Sequence, residues 1–275
     1  MAAAGAFEGV DACFTWHPDS QTCAVGTPCL ANVILRARFR GKASHAAAAP
    51  EHGRSALDAC ELMNVGTNYL REHVPERVRF HYAYTDCGGS SPNTVPETAE
   101  LLYYVRAPKI AAARETAERL HRIARGAALM TDTRLSWRVE CEMLDYVPHP
   151  GLTALLDRAL RDMGAPAFDS NDRASAAAFA SASPDPLDTQ IRPCIFSDEC
   201  RSVSSDVGNV SQIVPTAQAF VACFAEGTAF HTREMAAQAA LPAAGKGMLA
   251  AAGAMALAGA RLTEDPDLRK KLLGK

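Results

Sequence analysis

Apolar and polar residues alternate most regularly between Asn32 and Asp145. Val33, Leu35, Ala37 and Phe39 point one way and Asn32, Ile34, Arg36, Arg38 and Arg40 the other, the period-two pattern of a half-buried strand. From about Ser55 to His73 the period lengthens, with Leu57, Cys60, Met63 or Asn64, Thr67 and Leu70 or Arg71 near one face of a predicted helix that Pro75 closes. Val78, Phe80, Tyr82 and Tyr84 predict a second strand ended by Gly88-Gly89, and Leu101, Tyr103 and Val105 a third ended by Pro108. Ile110 to Met130 repeats apolar residues at helical spacing, and Leu135, Trp137, Val139, Cys141 and Met143 alternate as a fourth strand. The order strand-helix-strand-strand-helix-strand is the split arrangement of a ferredoxin-like sandwich.

The flanking segments are less regular. Val10 to Trp16 reads as a short buried strand with no preceding element to pair with, so its sheet is expected to be built from elements elsewhere. Cys23 to Leu30 reads as a turn-rich connector, and Ala165 to Arg201 as a Ser/Ala/Pro/Asp-rich connector with little periodicity. Leu152 to Met163 is amphipathic, Ser204 to Ser211 reads as a loop, Ala217 to Phe224 as a buried strand, and the last ~40 residues as helical. The chain is therefore expected to hold an α/β framework at 1–31 and 147–275 with an α+β insert at 32–146.

With 28 basic against 31 acidic residues and 48% hydrophobic content, nothing in the charge balance points to nucleic acid or an anionic membrane. Small molecules and other protein chains are the expected partners. Nine scattered cysteines without a Cys-x-x-Cys pair argue against a disulfide framework or a zinc knuckle, and for a reducing, cytoplasmic setting. Glu8 and Asp11 stand too early for a signal peptide, and the apolar run Met248 to Ala260 falls short of a membrane span.

Chemistry concentrates on histidines next to predicted strands. His17 follows the first, His231 follows the Ala217 to Phe224 run, and His45 lies on a small-residue loop after Arg40. Imidazole serves near neutral pH as donor, acceptor or ligand, and open α/β sheets bind ligands beyond the carboxyl ends of their strands. Two imidazoles so placed suit zinc or manganese, and a third could polarise a carbonyl held there.

Six motifs carry a family resemblance. They are Asp11 to Pro18, Gly41 to Ala59, Ser91-Pro92-Asn93 with Leu102 to Pro108, Gly126 to Thr131, Ser205 to Ser211, and Gly227 to Thr232. Together they resemble the carboxy-terminal part of the aminoacylase and glutamate-carboxypeptidase family of dinuclear metallohydrolases, in its aminobenzoyl-glutamate hydrolase branch. The resemblance implies a ferredoxin-like lid and dimerisation domain inserted into an incomplete metallohydrolase domain. It implies metal ligation by His17 and His231, oxyanion stabilisation by His45 acting in the partner chain's site, and substrate binding by Asn93 and Arg106. It also implies zinc or manganese as cofactor, a homodimer or a heterodimer with a homologous subunit, and cleavage of the amide bond of an N-acyl amino acid or small dipeptide. Asp206 is expected either to shape a loop at the site or to cap a helix.

Members of the family carry, ahead of the segment that begins this chain, a further His or Cys-x-His motif and a Glu-Glu pair that supplies the general base. The adjacent acidic pairs here, Asp198-Glu199 and Glu264-Asp265, lie in no matching motif. The chain is accordingly expected to be a shortened member, not competent alone. The competing expectation is a non-catalytic dimerisation module with a vestigial site.

Overall fold

The computed structural model describes residues 1–180 and 185–274, and only the backbone of Ile195. Positions 181–184 of the predicted Ala165 to Arg201 connector lie outside the described residues. Two compact units divide the chain: Met1–Pro28 with Val147–Cys200 and Asn209–Lys275, and Cys29–Tyr146 with Arg201–Gly208.

The second unit is the one the alternating pattern predicts. Strands β3 (Ala31–Arg40), β4 (Arg79–Asp86), β5 (Thr98–Ala107) and β6 (Arg134–Met143) form an antiparallel sheet in the order β4-β5-β3-β6, numbered after β1 (Cys13–Asp19) and β2 (Cys23–Gly26) of the other unit. Helices α1 (Ala56–Leu70) and α2 (Ile110–Met130) cover one face. Because side chains alternate across a strand, Leu35, Phe39, Leu101 and Tyr103 all reach the same core, where each is fully buried against Met63 and Leu120. Ser55 caps α1 by accepting from the Asp58 N–H at 3.1 Å.

The alternation expected for the fourth strand breaks part-way. A bulge opposite Ile34 and Leu35 slips the β6 register by one residue, so Val139 pairs with Leu35 but Cys141 pairs with Ile34 and Met143 with Asn32. One extra residue reverses every following side chain, which puts Cys141 and Met143 on the outer face and turns Glu142 toward Arg114 of α2, 2.6 Å away.

The first unit is built on β1, β2, β7 (Ile195–Phe196) and β8 (Thr216–Ala222), in the order β1-β8-β2-β7. The unpartnered first strand finds its neighbour some two hundred residues on, pairing in parallel with β8 from Cys13↔Thr216 to Asp19↔Ala222. Pro18 is tolerated in β1 because β1 is an edge strand. Three expectations are corrected here. Cys23–Gly26 is a strand and not a connector, since its backbone pairs with β8 and β7 at once. The predicted irregular connector contains helix α4 (Ser170–Ala177), after α3 (Pro150–Met163), held by a capping box between Asp169 and Asp172 and by Lys246. The predicted loop ending at Ser211 closes with a short helix, α5 (Val207–Ser211), just after Asp206.

Helices α6 (Arg233–Ala239), α7 (Pro242–Glu264) and α8 (Pro266–Leu273) complete the chain. With 23 residues, α7 is longer than its apolar run suggested and meets the length and composition of a membrane span. Its stripe Ala243, Gly247, Ala251, Ala254, Ala258 and Leu262 is buried, the last four of these in the core that α3 and β8 share. The nine cysteines form no disulfide among the described residues.

Candidate functional site

His17 and His231 belong to the first unit. His17 is exposed near the carboxyl end of β1, inside the strand and not beyond it, and its Nδ1 stands 2.7 Å from the Pro18 carbonyl oxygen. Its ring packs edge-on to Phe220 of β8 at 5.9 Å and lies 6.0 Å from Phe230. Phe230 precedes His231, which adopts a left-handed backbone with φ 62°. The parallel pairing of β1 and β8 thus delivers both histidines to one end of the sheet. Among the described residues, no group of three or more His, Cys, Asp or Glu side chains converges to hold a metal. Two histidines alone would leave a metal's coordination incomplete.

His45, Asn93 and Arg106 belong to the second unit. The His45 loop is tied at its base by Lys42 and Arg54, which exchange two backbone hydrogen bonds of 2.9 Å. Gly41 makes that closure possible, because a Cβ there would collide with the Arg54 carbonyl. The Arg54 guanidinium then reaches Asp132 at 2.8 Å, pinning the loop to the turn after α2.

The imidazole itself is held through Nδ1, which accepts the backbone N–H groups of Ala47 and Ala48 at 3.3 and 3.0 Å. An accepting Nδ1 leaves the proton of the neutral ring on Nε2. The Asn93 carboxamide stands 3.2 Å from Nε2, and its oxygen, interchangeable with the amide nitrogen by a half-turn, is the atom that can accept from Nε2–H. His45 therefore presents its Nε2 edge as the donor side on a fixed loop.

Arg106 is not brought to that pair. It stands at the other end of β5, eight residues beyond Thr98, about 27 Å at ~3.4 Å per residue. Its Nε donates to His81 Nε2 at 3.2 Å and its Nη1 to Ser204 Oγ at 3.0 Å, while the guanidinium lies 5.8 Å above the Tyr104 ring. Burial pushes the His81 pKa down, and the Arg106 and Arg71 cations push it further the same way. His81 and Ser204 were not signalled by the sequence, because each acquires its role only by touching Arg106.

Residues 30–129 match the peptidase dimerisation domain of the M20 family. Over 98% of its length the chain is 38% identical to the B subunit of p-aminobenzoyl-glutamate hydrolase from Escherichia coli (strain K12), of which it covers 62%. The chain is thus similar to M20 proteins, and its residues 30–129 carry the similarity to their dimerisation domain. It is also 38% identical, over 52% of its length, to the Xaa-Arg dipeptidase of Mus musculus, covering 32% of that protein. The chain thus spans about three fifths and one third of the lengths of these two relatives. The fold agrees with a crystal structure of an aminobenzoyl-glutamate utilization protein from Klebsiella pneumoniae, with a TM-score of 0.61 at 19% identity, covering 95% of this chain and 56% of that one. A hydantoinase/carbamoylase family amidase from Burkholderia vietnamiensis shares the fold with a TM-score of 0.57 at 14% identity, covering 90% of this chain and 55% of that one. M20 hydrolases are generally dependent on divalent metals.

Proposed function

We propose that this chain serves a divalent-metal amidohydrolase that cleaves the amide bond of an N-acyl amino acid or small dipeptide, working as a homodimer or as a heterodimer with a homologous subunit. The observation that carries the reading is the separation of His45 from Arg106 on one rigid sheet. Two extended residues span only about 7 Å, so a small dipeptide cannot reach both groups within one copy of this unit. His45 of one chain and Arg106 of another can share a substrate.

In that division of labour Asn93 orients the ring until substrate binds, when the Nε2–H of His45 passes from the Asn93 oxygen to the oxygen on which charge develops and the released Asn93 amide contacts the substrate. Arg106 pairs with the substrate carboxylate. His17 and His231 are the metal-binding pair, with zinc or manganese as the proposed ion. The dimer surface is the exposed edge strand β4 with the adjoining face of α1, where Leu62, Val65 and Tyr69 lie exposed at helical spacing beside Tyr82 and Tyr84. The second reading, a non-catalytic dimerisation module with a vestigial site, draws its support from the open donor set around His17 and His231.

Equilibrium dialysis against zinc and manganese, with wild type beside His17→Ala and His231→Ala, separates the two. Metal content that falls in both variants supports the hydrolase; unchanged content supports the vestigial module. Turnover of p-aminobenzoyl-glutamate, by this chain alone or mixed with a homologous subunit, then tests the reaction directly.

A further inference from the structure

Asn32 is one of three residues in the second unit, with Ser44 and Thr67, whose side chain has a buried polar atom without a hydrogen-bond partner among the described residues. It is 1% exposed, and its Oδ1 is buried without a hydrogen-bond partner among the described residues. A buried amide oxygen left unpaired costs roughly 1 to 3 kcal/mol, a penalty that a bound donor would relieve. In the β3–β5 register Asn32 lies directly opposite Arg106, so the two side chains share the outer face of the sheet.

The rest of the neighbourhood is organised around the same point. Residues 201–208 fold onto this end of the sheet, with Leu30 N–H donating to the Val203 carbonyl at 2.9 Å and Ser204 receiving Arg106. His81, from the neighbouring strand, accepts the Arg106 Nε–H. Arg106 Nη2 makes no hydrogen bond among the described residues. One strand end therefore offers an uncommitted cationic donor and, across from it, an uncommitted buried acceptor.

We propose that Asn32, His81 and Ser204 complete a subsite around Arg106 for a carboxylate together with the N–H beside it, the pairing found at the acyl-amino-acid end of an amide substrate. Arg106 takes the carboxylate, the Asn32 Oδ1 takes the N–H, and His81 and Ser204 are positioning residues that fix the guanidinium. Arg106 as the carboxylate anchor rests on the amidohydrolase reading; the acceptor and the two positioning groups come from the geometry. A neutral His81 is required, because an imidazolium has no lone pair for Nε–H. The cations of Arg106 and Arg71 around it, and its partial burial, favour that neutral form.

The test is calorimetric binding of N-acetyl-L-glutamate and of glutarate, which lacks the N–H, to the full chain. Arg106→Ala is expected to weaken both ligands at least about tenfold, the value of a charged hydrogen bond. Asn32→Leu is expected to weaken N-acetyl-L-glutamate about fivefold and leave glutarate unchanged, the loss of one neutral hydrogen bond. As Asn and Leu are similar in volume, the same variant should melt no lower than wild type, since it removes an unpaired polar atom. His81→Phe is expected to weaken both ligands and to shift the Arg106 Nε–H resonance, and His81→Gln, which keeps an acceptor, to restore both. No binding by wild type, or Asn32→Leu and His81→Phe that bind like wild type, overturns the subsite. Binding with this variant pattern but without hydrolysis by any metal-loaded assembly supports the subsite and overturns only the amidohydrolase reading.

Discussion

The carboxamide of Asn93 stands 3.2 Å from Nε2 of His45, and among the described residues no other side chain orients that edge of the ring. The two residues are 48 apart in sequence and meet because Ala46 N–H donates to the Asn93 carbonyl and Val95 N–H to that of Ser44, each at 3.0 Å. His45→Ala is expected to lower kcat by about a hundredfold or more in the assembled enzyme while leaving KM nearly unchanged, as loss of an oxyanion donor does. Asn93→Ala should lower kcat less and raise KM as well, because it both frees the ring and removes a substrate contact. Steady-state kinetics on p-aminobenzoyl-glutamate check both.

The α1–β4 surface is the proposed subunit contact. Val65 is 51% exposed and Tyr84 of β4 receives the Asn64 Nδ2–H at 3.0 Å, joining helix face and sheet edge. Val65→Asp adds a charge that association would have to desolvate, so light scattering should show a dimer for wild type and a shift to monomer for the variant. Circular dichroism should be the same for both, since Val65 is outside the core.

Acid stability should depend on Lys246. Its ammonium, with the backbone N–H groups of Asp172 and Asn171, holds the Asp169 carboxyl down to about 2. A depressed carboxylate stabilises the fold above its ordinary pKa near 4, and the benefit is lost as pH falls toward about 2. Lys246→Met, which leaves α4 with its capping box but without its cation, should move the acid unfolding midpoint to higher pH in a titration followed by circular dichroism.

Thiol reactivity should divide the cysteines. Cys87 and Cys141 are exposed, while burial pushes the Cys60 and Cys223 thiols up to about 12. Iodoacetamide at pH 8 is expected to label Cys87 and Cys141 within minutes and to leave Cys60 and Cys223 unmodified until denaturant is added, as mass spectrometry of the digested chain would show.

By itself the sequence determined the ferredoxin-like unit, because local periodicity is enough where one face of each element meets a single core. Val33 to Phe39 and Leu101 to Val105 alternate, α2 repeats at helical spacing, and the βαββαβ order admits few topologies. The motifs around His17, His45 and His231 likewise carried the family resemblance. Strand β2 was not visible, since the four residues Cys23–Gly26 carry no period and are ordered by their pairing with β7 and β8. The reversal of Cys141 and Met143 was hidden for a related reason: a bulge is a property of two strands in register, not of either strand alone. What only the tertiary structure decided is which side chains share a place. It joined Asn93 to His45, set Arg106 with His81, Ser204 and Asn32 at the far end of the same sheet, and did so through pairings between residues tens of positions apart, which no local pattern encodes.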